Sequence, residues 1–175
     1  QREIVIVAPF IKKGVLKKLL DNVNDSIQIH CVTRWRPDEI LIGVSDLDVW
    51  QLLKERKNAR SLLYIDLHAK YYRSDESCYV GSANLTATAL SWAPRANLEL
   101  MIEVPGDNPD LAMFEKRLFE YATEVSDSVY EHMVALVSRL KEKYKPFYTR
   151  YSSENECGEN NIEIVGSSSS LWYPK

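Results

Sequence analysis

The sequence predicts an α/β fold: a mixed β-sheet flanked by helices on both faces, with additional helices towards the C-terminus. Three observations predict it. Glu3 to Phe10 is a continuous apolar run, as a strand covered on both faces requires. Strand-like and helix-like periods then alternate as far as Val104, the pattern of layered α/β proteins. The chain has 175 residues, 45% apolar and 27% charged, enough for one sizeable core without metals or disulfides.

The elements follow in order. After the first strand, Gly14 to Val23 has helical spacing at Val15, Leu19 and Leu20. Ile27 to Thr33 is a second strand; Pro37 to Ile40 and Leu47 to Arg56 read as helices, with Asp46 as a candidate cap. Tyr64 to Tyr72 is rich in β-branched and aromatic residues and forms a strand; Ser74-Asp75-Glu76-Ser77 is a turn and Cys78-Tyr79-Val80 the returning arm of a hairpin. A short helix near Leu85 to Ser91 and a strand from Leu98 to Val104 come next. Asn108-Pro109 opens a helix as cap and first residue, with an apolar stripe of Phe114, Leu118, Tyr121 and Ala122. Ser128 to Tyr144 is a longer helix whose Val129, Met133, Leu136, Val137 and Leu140 suit the core or a subunit contact. From Ser152 to Ser170 the composition turns to Ser, Glu, Asn and Gly, so one domain is expected over residues 1–150 and a polar linker or tail over 151–175. Trp172-Tyr173-Pro174 would dock or begin a further domain, and a start at Gln1 reads as a fragment or processed product.

The hairpin carries the chemistry. His68 and Lys70, two apart on a strand, point to one face. Eleven residues after Lys70 comes Gly81-Ser82-Ala83-Asn84, with Ser82 and Asn84 of equal parity. Residues opposite each other in an antiparallel pair share a face, so the loop length decides whether the arms cooperate. A two-residue turn at Asp75-Glu76 would set His68 opposite Ala83; a three-residue loop would set His68 opposite Asn84 and Lys70 opposite Ser82. The second, or a bulge with the same effect, is therefore expected. A neutral imidazole can attack phosphorus. Lys70, Asn84 and the Ser82 hydroxyl suit the charge on non-bridging oxygens, and Gly81 admits close backbone approach. Asn84, just before the short helix, would add free N–H groups. Thr86 joins Gly81 as a candidate substrate contact.

Composition excludes several classes. The net charge of −3 is not that of a polycation, so nucleic-acid binding would need a local basic patch. Lys12, Lys13, Lys17 and Lys18 read better as the solvated face of a helix. Arg34 and Arg36 follow the second strand at its carboxyl end, where open sheets place ligands, and are the better substrate-binding candidates. Trp35 between them suits stacking on a base and core packing equally. Cys31, Cys78 and Cys157 are odd in number without C-x-x-C spacing, which points to a reducing, cytoplasmic compartment and no zinc site. His30 and His132 read as a strand residue and a helix-surface residue. Neither sits at ligand spacing from another His or Cys, so no metal or cofactor is expected, and no apolar run is long enough to span a bilayer, so no membrane is expected either.

His68, Lys70, Asp75, Gly81, Ser82 and Asn84 together resemble the signature of the phospholipase D superfamily, H-x-K-x(4)-D followed by G-S-x-N. Five residues separate Asp75 from Gly81 where the pattern has six, and Asp75 is read as a turn residue. The resemblance, over roughly Glu3 to Val104, implies an α-β-α sandwich and a metal-independent phosphodiesterase acting through a phosphohistidine. It also implies an acidic residue on the following strand that hydrogen-bonds the histidine ring, for which Glu99 is the candidate. One histidine cannot be nucleophile and acid at once on opposite sides of phosphorus, and the signature occurs once here. Single-motif members resolve this with a homodimer whose two signatures line one site. The Val-Ala-Pro-Phe-Ile start and Thr33-Arg34-Trp35 look like nuclease domains of restriction or defence systems, so DNA is the expected substrate. A phospholipase or phosphatidyl transferase is the alternative, and a non-catalytic nucleic-acid-binding module a third.

Overall fold

The computed structural model describes residues 3–75 and 77–154, with side chains as far as Tyr144. Seven strands form one mixed sheet, and the fold class is α/β as expected. In chain order the elements are β1 (Glu3–Val7), α1 (Lys13–Leu20), β2 (Gln28–Thr33), α2 (Pro37–Leu41), α3 (Val49–Lys54), β3 (Ala59–Leu63), β4 (Tyr71–Ser74), β5 (Ser77–Gly81), β6 (Met101–Pro105), α4 (Pro109–Tyr121), β7 (Thr123–Glu124) and α5 (Asp127–Glu154). Across the sheet the order is β6-β5-β4-β1-β2-β3-β7. β1, β2 and β3 are parallel; the other pairs are antiparallel. The sheet lies in the first of two units, Gln1–Glu142; in the second, Lys143–Lys175, the described residues are the end of α5.

The apolar run of β1 works through its two-residue period. Ile4 and Ile6 pack on one face with Val15 and Leu16 of α1, Leu53 of α3 and Leu85. Val5 and Val7 pack on the other with Val32, Leu62 and Leu118 of α4. Each such side chain contributes about 2 kcal/mol on leaving water. Trp35 is 2% exposed in a third cluster with Leu47, Trp50 and Val125, against Val129, Met133 and Val137 of α5. That decides between its two readings: it packs. Tyr121, expected in the α4 stripe, is exposed, and Leu118 carries the burial.

Asn108 caps α4 by accepting from the Asp110 N–H at 2.9 Å, and Pro109 is its first residue, as expected. Asp46 does not cap α3. Its carboxylate accepts from the Lys13 N–H at 2.8 Å and pairs with Lys12, so it closes the start of α1. Lys13 and Lys17 pair with Asp48 and Asp21, and Lys18 lies over Trp92, so these lysines are a compensated face rather than a patch.

Four further expectations are corrected. The strand before the hairpin is β3 at Ala59–Leu63; Tyr64 to Lys70 is a loop, so His68 and Lys70 precede β4. The hairpin has the two-residue turn, because Ser74 pairs with Ser77. Asp75 sits there at φ 49°, a left-handed conformation that aspartate tolerates and such turns need, and its carboxylate accepts from the Glu3 N–H at 3.1 Å. Leu85 to Ser91 forms turns, not a helix, closed by Ser91 at φ 58°, which removes the proposed row of free N–H groups. Strand β6 begins at Met101, leaving Glu99 on the segment that leads into it. The short β7 was not expected. α5 runs on to Glu154, and the rest of the proposed tail lies outside the described residues.

On the α4 side of the sheet, Arg73 bonds Glu115 through Nε at 2.5 Å and through NH2 at 3.0 Å, and also reaches Glu3; Tyr71 donates its hydroxyl to Glu115. Burial, with Glu115 beside it, pushes the Tyr71 hydroxyl up, so it stays a donor. The Glu115→Ala variant is expected to lose about 2 kcal/mol in urea unfolding, because two mostly buried donors lose their acceptor while Arg73 keeps Glu3. A loss below about 0.5 kcal/mol would mean the cluster is as weak as an exposed pair.

Candidate active site

The two-residue turn fixes what faces what. Its register carries on past the strand ends: the Gly81 N–H bonds the Lys70 carbonyl at 3.3 Å, and Gly81 pairs with Met101. Lys70, Gly81 and Met101 are thus abreast and share a face, and Glu99, two residues before Met101, has the same parity. Gly81 has no side chain on that face for a definite reason. A Cβ there would lie 2.0 Å from the Leu100 carbonyl oxygen and 2.7 Å from Met101 Sδ. The bare backbone at Gly81 admits the close approach of β6.

The Lys70 ammonium donates to the His68 carbonyl at 2.9 Å and lies 3.2 Å from His68 Nδ1. An ammonium can only donate, so Nδ1 accepts and the proton of the neutral ring sits on Nε2. Nε2 has no partner among the described residues, and His68 is exposed. Burial and the nearby Arg34 charge pull Lys70 below its usual range, opposed by Glu99. Glu99 was expected on the His68 ring. Its partners are instead the Ser82 hydroxyl, which donates to it, and the Asn97 amide at 3.1 Å. Those two hydrogen bonds, with Lys70 in the neighbourhood, hold its carboxyl below the usual carboxylate range. Ser82 Oγ also accepts from the Leu100 N–H at 3.0 Å. The Ser82 proton therefore goes to Glu99, and the hydroxyl ties the carboxylate to the Leu100 backbone.

Asn84 is placed from the other side. Residues 84–86 run along the loop after β1, with Leu85 bridged to Ile11, and Asn84 Oδ1 accepts from the Phe10 N–H at 3.2 Å. The interaction orients the amide and leaves Nδ2 without a partner among the described residues. Asn84, Thr86, Thr88, Asn97 and Lys12 line a hollow of about 470 Å³, and the Thr86 hydroxyl also accepts from the Ala89 N–H. Asn97, which no sequence signal singled out, connects this hollow to Glu99.

Arg34 is near the site but is not a free cation. It pairs with Glu39 at 2.5 Å, donates to the Leu67 carbonyl at 2.9 Å and lies over the Phe10 ring. It ties the loop that carries His68 to the ends of β1 and β2, with its charge compensated by Glu39. Arg36 is exposed at the start of α2, and no contact among the described residues joins it to the cluster. His68, Lys70, Ser82, Glu99 and Asn84 thus gather at the carboxyl ends of the parallel strands, where open α/β sheets hold ligands. Asp75 lies at the hairpin turn, against Glu3 at the opposite end of β1.

A second hollow, of about 240 Å³, borders His68 on the α4 side and is lined by Tyr64, Asp66, Leu67, Phe114 and Arg117 among others. Among the described residues no three His, Cys, Asp or Glu side chains are grouped so as to hold a metal ion, and no helix is long and apolar enough to cross a membrane.

No family model matches the chain, and no curated protein matches it. Among solved structures it is similar to phosphatidylserine synthase from Haemophilus influenzae Rd KW20, with a TM-score of 0.52 and 13% identity over 87% of this chain and 41% of that one. It is also similar to TrmBL2, an archaeal chromatin protein with a novel mode of DNA binding, with a TM-score of 0.44 and 16% identity over 71% of this chain and 45% of that one. The chain spans less than half the length of either. At these identities the first likeness shows a shared fold.

Proposed function

We propose that the chain is a phosphodiesterase that cuts DNA without a metal, through a phosphohistidine intermediate in a site completed by a second copy. The observation that carries this reading is the His68–Lys70 pair, a solvent-open imidazole with an ammonium on Nδ1, held at the carboxyl ends of the strands beside Glu99 and Asn84.

As it stands, Nδ1 accepts from the ammonium and the ring is neutral; a ring that gives a proton through Nε2 must carry protons on both nitrogens, with Lys70 drawn off Nδ1. A substrate phosphate that draws Lys70 towards its oxygens frees Nδ1 to carry the ring proton, and Nε2 becomes the nucleophile. The two His68 rings of a dimer then take the two roles. Nε2 of one forms a bond to phosphorus as the P–O bond breaks, while the other, as an imidazolium, gives its Nε2 proton to the departing oxygen and becomes neutral. That second ring next takes a proton from water, whose oxygen bonds phosphorus as the P–N bond breaks. Lys70 and the Asn84 amide meet the non-bridging oxygens.

The second copy has a surface to dock on. Leu98, Leu100 and Ile102 alternate with Glu99 and Met101 and are 102%, 66% and 53% exposed, and β6 is an edge strand. The same apolar strip favours one other reading, a phosphatidyl transferase that uses it against acyl chains.

Supercoiled plasmid incubated with the protein in EDTA is expected to be nicked. Strict dependence on an added divalent ion would contradict the proposed chemistry, and headgroup release from phospholipid vesicles with plasmid left intact would move the assignment to the lipid reading. Light scattering is expected to give a dimer, and a monomer at all concentrations would remove the shared site.

A further inference from the structure

We propose that the hollow between the His68 loop and α4 is a pocket for a nucleobase adjoining the scissile phosphodiester, with Arg117 and Asp66 reading its edge; this rests on the phosphodiesterase reading above. The hollow, of about 240 Å³, is open at its mouth, and its walls are Leu67, Leu118 and the rings of Tyr64 and Phe114. Leu67 and Leu118 are buried, while Tyr64 and Phe114 are only half-buried, with ring surface left over after packing on the core. Phe114 is braced by the Tyr71 ring at 5.3 Å, so it offers a fixed face for stacking. Ring faces of this kind hold bases of any sequence.

The side chains of Asp66 and Arg117 line the same hollow, are opposite in charge, and yet make no hydrogen bond or ion pair with each other or with any other described residue. The arginines at positions 34, 56, 60 and 73 each have a carboxylate partner, whereas Arg117 and the exposed Arg36 have none among the described residues. An unpaired guanidinium and an unpaired carboxylate facing one apolar slot match the acceptors and amino donors on a base edge. An acyl chain would meet that charged pair with nothing to offer it, which favours the base over the lipid tail. His68 belongs to the lining, so a base held here has its sugar and phosphate directed at the reacting imidazole.

The test is a single-stranded oligonucleotide carrying one abasic residue, with every cut mapped on a sequencing gel. Cutting at one linkage beside the abasic residue is expected to fall about tenfold below the other linkages of the same strand. The Arg117→Met and Asp66→Asn variants, both changes at exposed positions, are expected to lose that discrimination by bringing the ratio of the two cutting rates towards one. Equal cutting through the abasic position by the wild-type protein would overturn the pocket and leave the phosphodiesterase reading standing, as would variants that discriminate as the wild type does. A strand that stays uncut throughout would overturn both.

Discussion

Replacing His68 by alanine is expected to lower the rate of plasmid nicking in EDTA by on the order of 10⁴-fold or more, to the level of a buffer control. The effect is large because, in the proposed mechanism, the same ring serves as nucleophile and as acid in a two-fold site, so one substitution removes both groups. Folding should be untouched, since the side chain is exposed and, among the described residues, the ring's hydrogen-bond partner is Lys70. Lys70→Met should act in a related way for a different reason. It removes the charge that meets the phosphate and also the donor that sets the His68 tautomer. The two substitutions should therefore be far from additive, the double variant being hardly slower than His68→Ala alone. A His68→Ala protein that nicks at even a tenth of the wild-type rate would place the nucleophile elsewhere.

Gly81→Ala is expected to cost at least about 4 kcal/mol of stability and to abolish nicking in whatever protein still folds. A methyl group there would stand 2.0 Å from the Leu100 carbonyl oxygen and 2.9 Å from Met101 Cα, both backbone atoms, so no side-chain rotation can relieve it. Only separation of β5 and β6 can. That separation would break the Ser82 N–H bond to the Leu100 carbonyl and the Leu100 N–H bond to Ser82 Oγ, the two that clamp Glu99 in place. Urea unfolding followed by circular dichroism measures the cost. A loss under about 1 kcal/mol would mean the strands can part cheaply and that Gly81 is not what holds the site's floor.

The fold class was legible because it depends on period and order. Ile4 and Ile6 face one way and Val5 and Val7 the other, as a doubly covered strand must, and the Asn108-Pro109 start of α4 is a local signal answered by a local hydrogen bond. β3 was missed because Arg60 and Ser61 break its apolar pattern. Arg60 is satisfied by Glu124 on β7, a partner 64 residues away that no local rule could supply. The helix expected at Leu85 to Ser91 failed where β-branched Thr86 and Thr88 weaken a short segment, and pairing of Leu85 with the Ile11 loop took precedence.

The residues of the candidate site were legible as types, and their connections were not. The argument for a three-residue hairpin loop supposed that His68 and Lys70 lay within the ladder, where parity binds them. Lys70 continues the ladder opposite Gly81, but His68 lies in the loop before it, held by Arg34 through the Leu67 carbonyl, so parity did not govern the ring and the shorter turn is compatible with the site. Glu99 was found by its place after the motif, but its choice of Ser82 and Asn97 over His68 is a matter of tertiary approach. The hollow with Arg117 had no sequence signal, because it exists only where α4 crosses the His68 loop.

Acid-sensitive, base-stable attachment of substrate to the protein tests the proposal most directly. A labelled oligonucleotide mixed with the protein in EDTA, quenched in alkali and digested, is expected to leave label on the peptide that contains His68, joined through an N–P bond and absent from the His68→Ala protein. Rapid cleavage in EDTA with no label on any histidine peptide would contradict it.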